Sequence, residues 1–302
     1  MKSGLQEANA FTCVGEVLWD AMPDGLHLGG APLNVAINLH RLGAPVRLVS
    51  RVGDDDLGKR LLENLEAIGV MTKHVGKSDE LPTGRVDVAG TDAAPEYLIR
   101  KPAAWDAIEL DHSVIDELAG GVVVFGTLAQ RDQRSRRAIQ TLAAAAATAV
   151  LDVNLRAPFD SADIVQQSLT LVDVLKLNEN ELERVSKWLD LPSQPRHFCE
   201  ELARRFNLNA ICLTRGARGA AVWDGASWTE HRSGSVDVVD TVGSGDAFLA
   251  GFLFSAWCGE SIERSLAFAN GLGGFVATKR GATPTYSRED LTAAGLDVPS
   301  PG

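Results

Sequence analysis

The sequence predicts an α/β fold in which helices cover both faces of a mostly parallel central sheet, giving a three-layer sandwich. Short apolar runs alternate with longer amphipathic stretches along almost the whole chain, which is typical of parallel sheets. The chain has 302 residues, of which 45% are hydrophobic and 23% are charged, so it can bury the core of one large domain. We therefore expect a single domain over residues 1–302.

The predicted strands are short and apolar, as expected for strands that are buried on both faces. In chain order they are Phe11–Val14, Val46–Ser50, Val122–Phe125, Val150–Val153, Val172–Leu175, Ala210–Leu213 and Ala220–Trp223. The predicted helices carry apolar residues at helical spacing. They are Asn34–Leu42, Leu57–Ile68, Arg134–Ala147, Glu179–Leu189, His197–Phe206, Ala247–Cys258 and Ile262–Thr278.

Two stretches do not fit this alternation, and we assign them to a small β lid formed by about residues 17–33 and 82–106. Asp20–Gly30 is loop-like, whereas Thr83–Ala89 and Glu96–Arg100 are typical of the two strands of a hairpin. A lid would exclude water from a reaction at the edge of the sheet. A plain surface hairpin is the alternative interpretation.

Charge and composition argue against several classes of function. A formal net charge of −11 disfavours binding to nucleic acid or to an acidic membrane, because the field of the protein repels a polyanion. The sequence has no long uncharged apolar run, so we expect no membrane association and a cytoplasmic location. Its four cysteines are scattered without a C-x-x-C pair, which indicates reduced core residues rather than a zinc site or a disulfide framework.

The segment Asp240-Thr-Val-Gly-Ser-Gly-Asp246, which leads directly into an apolar helical stretch, indicates the chemistry most clearly. Glycines and a helix N-terminus allow the N–H groups of Gly243, Ser244 and Gly245 to point at one anion. Asp246 could then accept a proton from a hydroxyl held beside that anion, which phosphoryl transfer to an alcohol requires. The alternative is that Asp246 serves only as a helix cap.

Together with a second signature, this segment resembles the PfkB, or ribokinase-like, family of carbohydrate kinases. The second signature is Gly29-Gly-Ala-Pro-Leu-Asn34 with its continuation to Gly43, followed by Arg51-Val-Gly-Asp-Asp-Asp-Leu-Gly58. The resemblance is collinear over nearly the whole length. It implies a ribokinase-like fold, ATP and Mg²⁺ as nucleotide and cofactor, and Asp246 as the general base beside an anion hole of Gly243, Ser244 and Gly245.

The resemblance also implies a set of sugar-binding residues. Asp20 takes the position of an aspartate that holds two sugar hydroxyls, and Asn34 offers both a donor and an acceptor. A helix-cap role for Asn34, and a simple turn at Asp152-Val-Asn-Leu-Arg156 after a strand, are the alternatives. The expected sugar-binding set is Asp20, Gly29, Gly30, Asn34, Asn154, Arg156 and Asp246.

Nucleotide and metal positions are implied in the same way. Asn178-Glu-Asn-Glu181 resembles the family's N-x-x-E motif, in which Glu181 would support hydrated Mg²⁺; by residue type alone, Glu181 would be a solvated helix carboxylate. The expected nucleotide contacts are Asn178, Thr214, Gly216, Gly219, Gly245 and Asn270. A K⁺ ion behind the anion hole would be held at Asp240, Val242, Val276, Lys279, Gly281 and Thr285. Most of these would offer carbonyl oxygens, so the side chains do not decide whether K⁺ binds.

Within the family, the motifs are most similar to those of bacterial fructokinases, so fructose is the predicted acceptor. A ribokinase would carry an acidic sugar ligand near the strand that ends at Phe125, and Gly126-Thr-Leu-Ala-Gln130 contains none. Another candidate, 2-keto-3-deoxygluconate, needs a cation for its carboxylate, which Arg85, Arg100 or Arg156 could provide.

Three further questions stay open at the level of sequence. Trp105 is either a shelf under the sugar ring or a packing residue of the core or lid. A regulator that binds sugar or nucleotide without turnover is the alternative from another functional class. We expect a monomer or a homodimer formed through the lid, with a small-molecule sugar and ATP as partners and neither nucleic acid nor membrane.

Overall fold

The computed structural model describes residues 5–91 and 94–301, and its strands form one large sheet and one small sheet. The strands are β1 (Phe11–Val14), β2 (Leu18–Met22), β3 (Gly25–Gly29), β4 (Val46–Gly53), β5 (His74–Ser78), β6 (Gly84–Thr91), β7 (Ala94–Ile99), β8 (Val122–Gly126), β9 (Thr148–Asp152), β10 (Val174–Asn178), β11 (Ala210–Thr214), β12 (Ala220–Trp223) and β13 (Trp228–His231).

In the described part of the chain, the large sheet has nine strands in the order β13-β12-β11-β10-β9-β8-β1-β4-β5. Its strands pair in parallel from β11 to β5, and β12 and β13 add an antiparallel edge. Every residue of β1, β8 and β9 is buried, because helices cover both faces of these central strands. The predicted α/β fold class is confirmed.

The helices begin and end where the sequence supplies caps. They are α1 (Ala31–Leu42), α2 (Asp56–Ile68), α3 (His112–Leu118), α4 (Gln133–Ala145), α5 (Ala162–Leu169), α6 (Glu179–Leu189), α7 (Pro195–Phe206), α8 (Ser244–Trp257), α9 (Ile262–Ala277) and α10 (Arg288–Ala293). Asp55 accepts a hydrogen bond from the N–H of Gly58 at the start of α2, and glycines in the left-handed conformation follow both α1 and α2.

Two large apolar clusters form the core, one on each face of the sheet. The first contains residues of α1, α2, α8, α9 and α10, including Leu39, Leu253 and Leu272. The second contains residues of α3 to α7, including Ile139 and Phe198. Helix α8 is buried along almost its whole length because it packs against α1 and α9, so the N-terminus of α8 is held rigidly above the sheet.

The small sheet has the strand order β3-β2-β6-β7 and lies in the two stretches assigned to the lid. Strands β2 and β3 pair antiparallel, with Met22 opposite Gly25, so the stretch from Asp20 to Gly30 is mostly a hairpin. The prediction that this stretch is loop-like is therefore wrong: Pro23 and Asp24 form only its tight turn. Strands β6 and β7 pair antiparallel as the two strands of the expected second hairpin. The predicted break between them, residues 90–95, includes residues 92 and 93, which lie outside the described residues.

Several element boundaries and short elements differ from the prediction. Strands β9 and β10 are shifted by about two residues, and α1 begins at Ala31 rather than Asn34 because Pro32 fits the first helical turn. Elements β5, β13, α3, α5 and α10 were not predicted; each is short, at four to eight residues. Among the described residues, no helix is long and apolar enough to cross a membrane.

Candidate active site

The start of helix α8 forms the centre of a deep cavity of about 1400 Å³ that reaches from the small sheet to α9. Gly243 precedes α8 with a left-handed φ of 76°, and a Cβ there would lie 2.3 Å from the carbonyl oxygen of Ala282. Only glycine fits this position. The first turn of a helix leaves N–H groups without acceptors in the helix. The N–H of Ser244 donates to the carbonyl of Thr241, contrary to the expectation that it points at an anion. Gly243, Gly245 and Asp246 line the cavity.

Asp246 is 8% exposed, and its Oδ2 accepts a hydrogen bond of 2.8 Å from Nδ2 of Asn34. Burial and, to a smaller extent, the charge of Asp152 raise the pKa of Asp246, whereas Lys176, Asn34 and Arg156 lower it; the net pKa is about 6. A carboxylate with a pKa near 6 is mostly ionised at neutral pH and remains basic enough to take a proton from an alcohol. Helices α1 and α8 thus hold a candidate general base at the anion site.

A buried ion pair lies directly behind the glycine loop. Nζ of Lys176 donates to both carboxylate oxygens of Asp152 at 2.9 and 2.8 Å, and a Cβ on Gly245 would lie 3.3 Å from this ammonium. Burial lowers the pKa of Lys176, but the attraction of Asp152, Glu181 and Asp246 outweighs it, so the net pKa is raised. Lys176 also lines the cavity, where its charge favours an anion.

At the other end of the cavity, Asp20 projects from β2 opposite His27 of β3. Burial raises the pKa of Asp20 and the charges of His27 and Arg156 lower it, so that the net pKa is about 6. A Cβ on Gly29 would lie 2.2 Å from Oδ2 of Asp20, so this glycine makes room for the carboxylate although it does not line the cavity. Gly30 does line the cavity; it has a φ of 112° and would collide with the carbonyl of Glu16 if it carried a Cβ.

The segment after β9 brings two more expected residues to the cavity. Asn154 has a left-handed φ of 37°, and both Asn154 and Arg156 line the cavity. Arg156 lowers the pKa of Asp20 and of Asp246, because its guanidinium stabilises both ionised carboxylates electrostatically. Arg85 and Arg100 are different: they pair with Asp87 on the small sheet and do not line the cavity.

The expected nucleotide positions line the end of the cavity beyond α8. Asn178 caps helix α6, Thr214 ends β11, and Asn270 of α9 donates to the carbonyl of His231 at 3.2 Å. Gly216 and Gly219 both have positive φ, and a Cβ on Gly219 would lie 2.1 Å from the carbonyl oxygen of His231. All five residues line the cavity together with exposed valines of the segment before α8, namely Val236, Val238, Val239 and Val242.

The expected metal positions are only partly at the cavity. Glu181 is 5% exposed, does not line the cavity, and accepts hydrogen bonds from the N–H groups of Leu155 and Asn178. It is therefore a buried group and not a solvated one. Asp240 lines the cavity and accepts from the N–H groups of Val242 and Gly281, which joins the two ends of the expected K⁺ loop. Val276, Lys279 and Thr285 lie outside the cavity lining.

The structure decides one alternative that the sequence left open and adds two residues that the sequence analysis did not single out. Trp105 is fully buried, stacks under the guanidinium of Arg131, and does not line the cavity, so it is a packing residue. Glu16 and Lys176 line the cavity but were not singled out, because a lone charge beside an apolar strand gives no signal of its burial. Within the described residues, no group of three or more His, Cys, Asp or Glu side chains could hold a metal ion by itself.

Comparison with known proteins gives a consistent result. The chain matches the model of the pfkB family of carbohydrate kinases over residues 12–289. It is 28% identical to the uncharacterized sugar kinase PH1459 of Pyrococcus horikoshii, over 88% of this chain and 85% of that protein. The crystal structure of PH1459 in complex with ATP has a TM-score of 0.80 to this structure, at 25% identity, and the match covers 94% of this chain and 97% of that one.

Two further relatives differ in the acceptor that their names give. The chain is 29% identical to a 2-dehydro-3-deoxygalactonokinase of Haloferax volcanii, over 84% of this chain and 83% of that protein. It is 27% identical to a fructokinase of Klebsiella pneumoniae, over 92% of this chain and 96% of that protein. These near-equal identities do not distinguish a neutral sugar from a sugar acid.

Proposed function

The chain belongs to the pfkB family of carbohydrate kinases, and we propose that it transfers the γ-phosphoryl group of ATP to the primary hydroxyl of fructose. The observation that carries this proposal is the hydrogen bond from Asn34 to Asp246. It joins the lid-side end of the cavity, where Asp20 lies, to the N-terminus of α8. A sugar at the first end and a phosphate at the second would meet at Asp246.

The proposed roles follow from the positions of these groups. Asp246 takes the proton of the acceptor hydroxyl while the hydroxyl oxygen forms a bond to the γ-phosphorus. The bond between that phosphorus and the β–γ bridging oxygen breaks, and ADP leaves. Gly243, Gly245, the helix dipole of α8 and the ammonium of Lys176 stabilise the charge on the transferring group. Asn34 holds the carboxylate in place.

When bound, Mg²⁺ would neutralise part of the negative charge of the phosphates. The described residues offer no all-protein metal cluster, which fits an ion that is held mostly by phosphates and water. Glu181 does not line the cavity, so it would influence the hydrated Mg²⁺ only indirectly. Three points remain predictions. They are a role of the Asp240 loop in holding K⁺, a cytoplasmic location, and a monomeric or lid-mediated homodimeric state.

A neutral ketohexose is favoured by the charges at the acceptor end. Glu16, Asp20 and Asp246 are three carboxyl groups there, and Arg156 is the guanidinium whose charge acts on all three. A carboxylate or phosphate on the acceptor would be repelled by these groups, whereas hydroxyls can donate to them. A 2-keto-3-deoxy sugar acid is the second candidate, since Arg156 is a cation inside the cavity and one relative is named for such a substrate.

The test is a substrate panel with purified protein, ATP and Mg²⁺. Fructose, 2-keto-3-deoxygluconate, ribose and adenosine are compared by kcat/KM from ADP release, and the phosphorylated carbon is identified by NMR. We expect fructose to give the highest value and a phosphate ester at a primary carbon. A higher kcat/KM for the sugar acid would overturn the choice of fructose. In that case Arg156→Gln should raise the KM for the acid and Arg85→Gln should not.

A further inference from the structure

Glu16 lies at the centre of the large sheet, at the acceptor end of the cavity. It follows β1 after Gly15, is 3% exposed, and lines the cavity. A Cβ on Gly15 would come within 2.7 Å of Cγ of Pro32, so this loop packs tightly against the start of α1. Ser50 holds the same loop through a 2.6 Å hydrogen bond to the carbonyl of Gly15. The position of Glu16 is therefore fixed by the fold.

The carboxyl group of Glu16 has unused hydrogen-bonding capacity. Its Oε2 is buried without a partner, and so is Oδ1 of Asn34, whose Nδ2 is bonded to Asp246. Leaving a buried acceptor unpaired is costly, and such atoms at a cavity are usually kept for a ligand or water. Both unpaired oxygens belong to residues that line the cavity, and each can accept a hydrogen bond from a hydroxyl.

We propose that Glu16 is a specificity-determining residue whose Oε2 binds a hydroxyl of the acceptor other than the one that is phosphorylated. This inference rests on the proposed function. The carboxyl of Glu16 is close enough to the guanidinium of Arg156 and the carboxyl of Asp246 for their charges to act on it. It therefore borders the space where the reacting hydroxyl must lie. Asp20 and Glu16 would then both bind hydroxyls of one sugar.

The experiment combines variants with modified sugars. Wild type, Glu16→Gln and Glu16→Ala are assayed with the best sugar of the panel and with its analogues that each lack one hydroxyl. Ser50→Ala is the matched control, because it disturbs the same loop without changing a group that lines the cavity. Thermal unfolding midpoints of all variants are measured in parallel, since the hydrogen bonds of Glu16 to backbone N–H groups could also stabilise the fold.

We expect Glu16→Ala to raise the KM for the sugar by about 10- to 100-fold and Glu16→Gln by about tenfold, with the KM for ATP within twofold of wild type. One deoxy analogue should lose much of its binding in wild type but little more in Glu16→Ala, because the deoxy change and the alanine remove the same hydrogen bond. If every analogue loses the same factor in wild type and in the variants, or if the sugar KM is unchanged, the inference is wrong and the kinase function stands. If wild type phosphorylates no sugar, the proposed function fails and the inference fails with it.

Discussion

Replacing Asp246 with Asn should make the protein more stable at alkaline pH, although it removes the proposed base. Burial is the largest cause of the raised pKa of this carboxyl, which moves from an ordinary value of 3.8 to about 6. The folded protein therefore binds a proton at Asp246 more tightly than the unfolded chain does. Ionising Asp246 above pH 4 costs stability, because its charge is better solvated after unfolding.

The size of this cost follows from the two pKa values. Stability is lost as the pH rises from 3.8 through about 6 and then stays constant, and the full loss is about 3 kcal/mol. Asparagine keeps the shape and can still accept the hydrogen bond from Asn34, but it carries no charge. We therefore expect Asp246→Asn to be more stable than wild type by about 1 kcal/mol near pH 4.5 and about 3 kcal/mol at pH 8.

The assay is urea unfolding of ligand-free wild type and Asp246→Asn at both pH values. Asp111→Asn is the matched control. Asp111 is exposed, and its pKa is lowered by hydrogen bonds from Ser113 and the N–H of Val114, so its removal should give no gain at pH 8. A variant of Asp246 that is less stable than wild type at pH 8, or whose gain does not grow with pH, would refute the reasoning.

Three further outcomes are expected. Because Asp246 must be ionised to accept a proton, kcat/KM should fall about tenfold per pH unit below pH 6, and a flat profile down to pH 5 would count against this base. Asp20→Ala should raise the KM for the sugar by about 10- to 100-fold and leave the KM for ATP within twofold, because a buried hydroxyl of the sugar loses a charged acceptor. Equal changes in both KM values would remove Asp20 from the sugar site. Lys176→Met should lower the free energy of unfolding by about 3–5 kcal/mol, because Asp152 becomes an unpaired buried charge. Adding Asp152→Asn should recover most of this loss of stability, and no recovery would show that the broken ion pair is not its cause.

The parts of the fold that the sequence predicted are those with strong local patterns. Strand β1 and helix α6 begin and end where predicted, because four buried residues mark the strand and a capping box at Asn178 marks the helix. Edge strands β5 and β13 were missed because they are half-exposed and carry polar residues. The β2–β3 hairpin was missed because its polar, turn-forming residues conceal the alternation of Leu26 and Leu28.

The same distinction applies to the site. Asp246 and the glycine loop are adjacent in sequence, so their chemistry can be recognised from a motif. Glu16 and Lys176 depend on tertiary structure: Lys176 is paired with Asp152, 24 positions earlier, and Glu16 becomes buried only when α1 packs against the end of β1. A charged residue in or beside a strand is usually exposed, so no local rule would have identified either one.

The most direct test of the central claim is a rapid-quench measurement of phosphoryl transfer by wild type and Asp246→Asn, with ATP, Mg²⁺ and the best acceptor sugar. The variant keeps the glycine loop and the hydrogen bond from Asn34, so ATP should bind with a Kd within about twofold of wild type. Loss of the proton acceptor alone should slow the transfer step by roughly 10²–10⁴. A transfer rate close to that of wild type, with ATP binding intact, would contradict the assignment of Asp246 as the general base.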